Sequence, residues 1–260
     1  MVHFSCGATS AVAGWLTCRD YDTEVIYADT ASEHPDNMRF LLDCEEKLFN
    51  GQKVKILKSS KYFDIFDVFE RHRFLSGPAG AKCTTEMKKK PIRDYLGSRI
   101  MTELQVFGYD TGEAGRIERF RQNNPEVNLK LPLIERGLSK ADCLSILIDK
   151  GIELPAMYKL GYSNSNCIGC VKGSLKYWAA IKIDFPEIFD WYAKFERQIG
   201  AELPDGTRKG GAINKRYVKG ERVRVFLDEL PDDIKPGRDL DISCGYSCGQ
   251  QELFTNEAAL

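Results

Sequence analysis

The chain has 260 residues, of which 43% are hydrophobic and 29% charged, a composition typical of globular proteins. Its net charge of −1 at pH 7 excludes a uniformly basic surface, so any binding of nucleic acid would require a local basic patch. No apolar run reaches the ~20 residues of a membrane-spanning helix, and the first residues lack a secretory-signal pattern, so we expect a cytoplasmic protein with no membrane partner.

The chain opens with a short strand, a turn of small residues and an apolar helix. Residues 5–10, hereafter the 5–10 loop, form the turn. Backbone N–H groups and the helix dipole favour an anion at such a turn, and Gly7 lets the backbone approach it. An ordinary turn capped by Ser or Thr has the same composition and is the alternative.

Two further strands and a helix complete a βαβαβ unit. Residues 24–28 and 53–57 are predicted strands, and the apolar spacing of 38–49 predicts a helix between them. Because the carboxyl ends of parallel strands meet at one edge, the 5–10 loop and the loop at 29–37 are expected to lie together. This predicts a nucleotide site with phosphate at the first loop and base or ribose near the second. Helix capping is the alternative for Asp29 and Glu33.

Later segments extend this α/β pattern. We predict helices at 64–74 and 93–100, a flexible Gly/Pro loop from residue 76 toward Pro91, strands at 103–108 and 129–133, and a helix capped by Ser139. A helical layer rich in aromatic residues follows. The expected fold is an α/β, Rossmann-like nucleotide-binding domain with a parallel sheet.

We expect that domain to cover residues 1–190 and a C-terminal extension to cover 191–260. The extension carries seven basic residues between 206 and 224 and only one acidic residue there, Glu221. Such a segment can bind the phosphates of tRNA or DNA, or it can be a solvated loop. We also expect a homo-oligomer.

Nine cysteines are many for a chain of this length. In a reducing compartment they are typical of metal ligands, reactive thiols or buried apolar residues. Cys167 and Cys170 form a Cys-x-x-Cys pair, which is typical of zinc or iron–sulfur ligands. Cys6 is either a thiol activated by the helix N-terminus or an inert residue of the loop.

Five elements in this order carry a family resemblance: Ser5-Cys6-Gly7-Ala8-Thr9-Ser10; Asp29-Thr30-Ala31-Ser32-Glu33-His34-Pro35; Cys83, Lys88 and Pro91; Gly108, Glu113 and Arg116; and Tyr158-Lys159-Leu160-Gly161-Tyr162 with Cys167-Ile168-Gly169-Cys170. Together they resemble the phosphoadenylyl-sulfate (PAPS) reductase family of the PP-loop ATP-pyrophosphatase superfamily. The resemblance runs from about Val2 to Ile188. Cys6 then stands at a usual glycine position of the PP-loop.

The resemblance implies an adenine nucleotide (ATP or PAPS) with Mg²⁺, bound by Ser5, Cys6, Gly7, Ala8, Thr9, Ser10, Asp29, Thr30 and Glu33. It implies catalytic roles for Ser10, Lys88, Arg116 and Cys244. It also implies a 4Fe–4S cluster, or Zn²⁺ as the alternative, on Cys83, Cys167 and Cys170. The fourth position is filled by Cys248 or Cys244, or it stays open.

Departures from the family pattern leave three functions open. Ala8 and Thr9 replace the Lys and Asp of ATP-using members, Asp110 replaces an Arg, and Thr84 replaces a cluster cysteine. The first function is adenylylation of a nucleic acid with release of pyrophosphate, followed by attack of a sulfur donor. The second is a sulfonucleotide reductase using Cys244, in a Ser-Cys-Gly resembling the family's Glu-Cys-Gly, with a thioredoxin-like reductant. The third is a non-catalytic nucleotide-binding protein.

Overall fold

The computed structural model describes residues 1–77, 80–199, 201–202, 208–209, 211–238 and 242. Its strands are β1 (Val2–Phe4), β2 (Val25–Ala28), β3 (Lys55–Leu57), β4 (Gln105–Val106), β5 (Leu129–Lys130), β6 (Ala201–Glu202), β7 (Arg208–Lys209), β8 (Asn214–Val218) and β9 (Glu221–Val225). Its α-helices are α1 (Ala8–Cys18), α2 (Asp36–Lys47), α3 (Ile65–His72), α4 (Lys82–Thr84), α5 (Lys90–Leu96), α6 (Arg99–Thr102), α7 (Ala114–Asn123), α8 (Pro132–Glu135), α9 (Lys140–Asp149), α10 (Ala156–Lys159), α11 (Leu175–Asp184) and α12 (Pro186–Ile199).

The first five strands form one parallel sheet, which confirms the predicted α/β class. Its strand order is β3-β2-β1-β4-β5, so the chain builds outward from β1 in one direction and then returns to the other side of β1. In open parallel sheets ligands bind beyond the carboxyl ends of the strands at such a reversal. The 5–10 loop leaves β1 at this point.

Two apolar clusters cover the sheet and a third lies apart from it. Alternate residues of β2 enter different clusters, since Val25 and Tyr27 pack with α1, α2 and α9, whereas Ile26 and Ala28 pack with α5, α6 and α7. The third cluster joins α3, α11 and α12 with the 167–171 segment. This third cluster holds the Cys-x-x-Cys pair.

The loop predicted between residue 76 and Pro91 is helical in its second half. After a bridge between Gly77 and Gly80, α4 leads into a π-helix at Thr85–Lys89 and then into α5. Pro91 stands in the first turn of α5, where its missing N–H is tolerated, and the wider π-helical turn immediately precedes it. Cys83 and Lys88 are therefore held on helical turns.

The C-terminal extension is continuous with the main domain. The boundary predicted at residue 190 lies inside α12. Arg197 of this helix pairs with Asp228 and Glu229 at 2.6 Å, and further along the chain Arg238 pairs with Asp184 at 2.6 Å. None of the helices in the described part of the chain has both the length and the apolar character needed to cross a bilayer.

Candidate functional site

A cavity of about 690 Å³ lies at the carboxyl edge of the sheet, beside β1 and β4. This volume is within the ~300–1,000 Å³ typical of small-molecule sites. The 5–10 loop, the loop after β4, the start of α9 and the 161–166 segment contribute to its walls. The predicted site residues that line it are Ser5, Gly7, Thr9, Ser10, Lys88 and Arg116.

The 5–10 loop is organised around the Ser10 hydroxyl. The Ser5 N–H donates to Ser10 Oγ at 3.1 Å, and Ser10 Oγ donates to the Gly7 carbonyl at 3.0 Å. Cys6 has φ 54° and is fully buried, with its thiol donating to the Asn37 carbonyl. Burial raises the pKa of the Cys6 thiol well above its usual value. The interpretation of Cys6 as an activated thiol is therefore wrong, and its left-handed backbone is one that favours glycine.

Helix α1 begins in the cavity wall without a side-chain cap. Gly7 is its N-cap, and the first turn contains no acidic residue. The Ala8 N–H donates to the Tyr158 hydroxyl at 3.1 Å. Such a helix start favours an anion through its N–H groups and its dipole, as predicted from the sequence.

Gly108 allows the end of β4 to pack directly on this helix start. A Cβ at Gly108 would lie 2.6 Å from both Cα and N of Ser10 and 2.8 Å from the carbonyl carbon of Thr9. These are backbone atoms, so a side chain at residue 108 would displace the loop.

Lys88 reaches the cavity from the π-helix and is held by a buried carboxylate. Its ammonium lies 3.0 Å from Glu33 Oε1, and the two side chains are 17% and 4% exposed. The Tyr27 hydroxyl donates to the same carboxylate. Glu33 therefore positions Lys88 and is not itself among the described residues that line the cavity.

Asp29 and Thr30 likewise lie outside the described cavity wall. Asp29 accepts from the Ala31 N–H at 2.8 Å and pairs with Lys58 at 3.3 Å. The Thr30 hydroxyl lies 3.1 Å from the Cys167 sulfur. The loop after β2 thus connects the sheet to the Cys-x-x-Cys segment.

Two more cations, Arg116 and Lys140, line the cavity. Arg116 forms an ion pair with Glu113, and its guanidinium lies 5.1 Å from the centre of the Tyr109 ring. Lys140, the first residue of α9, donates to Asn164 Oδ1 at 2.8 Å.

His3 forms part of the cavity floor as a neutral ring. It stacks on Phe107 with ring centres 4.3 Å apart, and its Nε2 lies 2.8 Å from Gln105 Oε1. The Gln105 amide nitrogen donates to the carbonyls of Arg99 and Glu103, so Oε1 accepts and His3 Nε2 carries the proton. Burial lowers the pKa of His3 to about 4.

We expect His3 to make the folded chain less stable as the pH falls from 6.5 to about 4. The folded-state pKa lies below the unfolded value, so the unfolded chain binds a proton first and is favoured at low pH. The loss should be about 2 kcal/mol after allowance for solvent screening at the cavity. Urea unfolding at the two pH values should show that the wild type loses this much stability relative to His3→Gln as the pH falls. An equal loss in both proteins would contradict the assignment.

Sequence reasoning assigned no role to His3, Lys140 or Asn164. Lys140 carried a signal, because it opens the predicted helix after the fifth strand, at the same edge of the sheet as the 5–10 loop. Tyr158 belongs to the Tyr-Lys-Leu-Gly-Tyr motif, but the sequence does not indicate which group its hydroxyl contacts. The His3 and Asn164 positions follow only from strand pairing and packing.

The 167–170 turn is held rigidly by two tyrosines. The N–H groups of Gly169 and Cys170 donate to the Tyr177 hydroxyl at 3.1 and 3.0 Å. Gly169 has φ 75°, and a Cβ there would lie 2.6 Å from the Tyr192 ring. The turn therefore requires glycine between its two cysteines.

The predicted ligands Cys83, Cys167 and Cys170 lie near one buried phenol. Tyr192 is 0% exposed, and its hydroxyl has no hydrogen-bond partner among the described residues. Burial raises the pKa of Tyr192 well above its usual value, and the three thiols raise it further. Within the described ranges no three His, Cys, Asp or Glu side chains form a group that could hold a metal ion, and Cys248 lies outside those ranges.

The chain approaches the cavity again near its C-terminus. Ile242 is buried and lines the cavity, and its carbonyl accepts from the side-chain amides of Asn164 and Asn166, the first at 3.4 Å. Cys244 follows two residues later in the sequence, and both Cys244 and Cys248 lie outside the described residues.

Any relationship of this chain to known proteins rests on its sequence motifs. No protein-family model matches the chain, and no curated protein matches it. Membership of the PAPS reductase family therefore stays a prediction.

Proposed function

We propose that the chain binds an adenine nucleotide in this cavity and adenylylates a nucleic-acid acceptor with release of pyrophosphate. The observation that carries the proposal is the convergence of the uncapped start of α1 with Lys88, Arg116 and Lys140 on one cavity. Backbone N–H groups and fixed cations are the groups that bind phosphate and stabilise charge during its transfer.

The binding residues have separate roles in this proposal. The 5–10 loop N–H groups hold the phosphates, and Ser10 keeps the loop in shape through its bonds to Ser5 and Gly7. Lys88 and Arg116 supply the positive charge that Ala8 lacks, while Mg²⁺ accompanies the nucleotide. Formation of an adenylate turns a poor leaving group on the acceptor into a good one, and the chain contributes positioning and charge neutralisation.

The β8–β9 hairpin supports a nucleic-acid acceptor. Lys215, Arg216 and Lys219 are exposed on it, and Tyr217 is 75% exposed between them. Exposed cations beside an exposed aromatic ring are typical of surfaces that bind a phosphate backbone and stack a base. Residues 214–225 of the basic segment form this antiparallel hairpin.

The sulfur-transfer step of the proposal rests on the family resemblance of the cysteines and not on a metal-binding group among the described residues. Cys83, Cys167 and Cys170 would hold a 4Fe–4S cluster or a zinc ion near Tyr192, with a tail cysteine or an open fourth position. A cluster held by three cysteines can carry sulfur to an activated acceptor, whereas zinc would be structural.

Replacing Lys140 with methionine should weaken ATP binding about tenfold, which equals about 1.4 kcal/mol. The change removes one cation from the cavity wall together with its hydrogen bond to Asn164. Calorimetric titration of ATP, AMP and adenosine with Mg²⁺ measures the effect, which should be absent for adenosine. Lys194→Met, which removes an exposed lysine from α12, is the matched control. Equal ATP affinities for the two variants would contradict the site.

Assays of the reaction products distinguish the three possible functions. ATP with Mg²⁺ should give AMP and pyrophosphate in the presence of tRNA or DNA. The position of Ile242 in the cavity wall favours sulfonucleotide reduction as the second candidate, because it brings the chain to the nucleotide just before Cys244. That function predicts sulfite from PAPS and thioredoxin, with loss of activity in Cys244→Ser. Nucleotide binding without either reaction would indicate a non-catalytic protein.

A further inference from the structure

One face of the β8–β9 hairpin consists of basic and aromatic positions. The register of the hairpin pairs Lys215 with Arg224 and Tyr217 with Arg222. Directly opposed residues of an antiparallel pair share a face, and neighbours along a strand alternate between faces. Positions 215, 217, 222 and 224 therefore lie on one face, hereafter the outer face, and each of them is basic or aromatic.

The opposite face attaches the hairpin to the rest of the chain. Asn214 and Val225 are paired on that face, and both are buried. Glu221, the one acidic residue of the hairpin sequence, takes a register position on this face as well. The outer face thus has no acidic position, and Lys215 and Arg224 are exposed on it.

Two local features of the hairpin cost stability. Lys215 stands directly opposite Arg224, and like charges in such a pair are destabilising. Lys219 has φ 52° and Gly220 has φ 85° in the two-residue turn, where asparagine or glycine is favoured at the first position. Both features add positive charge at the outer face or at the tip beside it. Residues that break a local rule in this way are typical of functional sites.

The Tyr217 ring is the centre of the outer face. It is 75% exposed, so most of its apolar surface contacts water. A base stacked on the ring would remove that surface from water. Lys215, two residues earlier on β8, and Arg224, diagonally across on β9, are each about 7 Å away along the ribbon. Cations beside a stacking ring match a chain of bases joined by phosphates.

We propose that the outer face binds an unpaired stretch of nucleic acid, with one base stacked on Tyr217 and the adjacent phosphates at Lys215 and Arg224. The inference names the acceptor class of the proposed function and rests on its nucleic-acid part. In a duplex the faces of each base are covered by neighbouring base pairs, whereas an unpaired base leaves its face open to an aromatic side chain. Stacking and phosphate contacts are common to DNA and RNA, so either can occupy this face.

Fluorescence anisotropy of a labelled oligonucleotide with the full chain measures this binding without ATP. We expect oligothymidylate and oligouridylate to bind about tenfold more tightly than the duplex of oligothymidylate with oligodeoxyadenylate. Tyr217→Ala should lower the affinity for the single strands about tenfold, whereas Tyr217→Phe, which keeps the ring, should retain it. Both variants should melt at the wild-type temperature, because the side chain is exposed.

Lys215 and Arg216 form a matched pair of variants for the phosphate contacts. They are exposed neighbours on β8 and lie on opposite faces of the hairpin. Lys215→Met should weaken the binding of every single strand and reduce the slope of log affinity against log salt concentration by about 0.7. Arg216→Met should change both quantities much less. Equal effects of the two variants would show attraction to a basic segment as a whole and would overturn the proposal.

Other results would overturn the inference without touching the nucleotide site. Wild-type affinity of Tyr217→Ala for the single strands would reject stacking. Tighter binding of the duplex, or binding of phosphatidylserine vesicles in place of oligonucleotides, would assign the face to another partner. Failure of the proposed function has a different signature, because a chain that binds single strands through Tyr217 but forms no AMP and pyrophosphate would reject adenylylation and leave this inference standing.

Discussion

Replacing Gly108 with alanine is expected to lower the free energy of unfolding by about 3 kcal/mol and to weaken nucleotide binding at least tenfold. The new Cβ would lie 2.6 Å from the backbone of Ser10, where no side-chain rotation can relieve the clash. Either β4 moves away from β1 or the first turn of α1 shifts. Both responses displace the 5–10 loop, which depends on Ser10 for its shape.

Gly115→Ala is the matched control for this variant. Gly115 lies in α7, close along the chain, and a Cβ there would have only the end of Arg119 within reach, at 3.9 Å. Alanine in a helix is favoured over glycine by about 1 kcal/mol, so this change should leave the chain equally or more stable. Chemical denaturation and ATP titration of both variants make the comparison. Wild-type stability and binding in Gly108→Ala would show that β4 does not support the loop.

The sheet was predictable because its signals are local. Each of the first three strands is a short apolar run that ends in turn-forming residues, and the intervening helices show the apolar spacing of their buried faces. The order β3-β2-β1-β4-β5 was not predictable in the same way, since pairing between distant strands leaves no local pattern. The cavity depends on that order, because it places Gly108 against Ser10.

The parts of the site that the backbone forms were predictable from the sequence. The parts that depend on side-chain packing were not. The 5–10 loop follows from its small residues and its place before a helix. The sequence left a reactive and an inert Cys6 open, because it does not show that this side chain turns into the core. The sequence resemblance predicted that Glu33 binds the nucleotide. In the structure the buried Glu33 carboxylate pairs with Lys88. Tyr192 gave no signal beyond that of an aromatic core residue.

Glu196 is expected to produce the largest pH-dependent change in stability. Its side chain is 0% exposed, and its carboxylate accepts from the N–H of Ile213 at 2.5 Å and from the N–H of Leu227 at 2.6 Å. These two residues flank the β8–β9 hairpin on either side. One buried carboxyl group therefore fastens both ends of the hairpin to α12.

Burial raises the pKa of Glu196 from 4.5 to about 7. Asp228 raises it further, whereas the two N–H groups and Arg197 lower it. The folded chain therefore retains a proton that the unfolded chain has already lost, so its stability is highest below pH 4.5 and falls as the pH rises through about 7. The full loss corresponds to about 3 kcal/mol.

Glu196→Gln should remove this fall, because the amide does not titrate. Its cost at low pH should be about 1–2 kcal/mol, since the amide nitrogen faces a backbone N–H that it cannot accept. Glu187→Gln, which removes an exposed carboxylate of the same helix, controls for the loss of a charge. A wild-type pH profile in Glu196→Gln would contradict the assignment.

The titrations of His3 and Glu196 change the stability in opposite directions over part of the same pH range. Separating the two effects is therefore a stringent test of both assignments. Between pH 4.5 and 6.5 the stability rises with pH because of His3 and falls because of Glu196. The wild-type profile should therefore be nearly flat there. His3→Gln should uncover a fall with rising pH, and Glu196→Gln should uncover a rise. Additive effects in the double variant would follow, since His3 lies in β1 and Glu196 in α12 with no shared partner among the described residues.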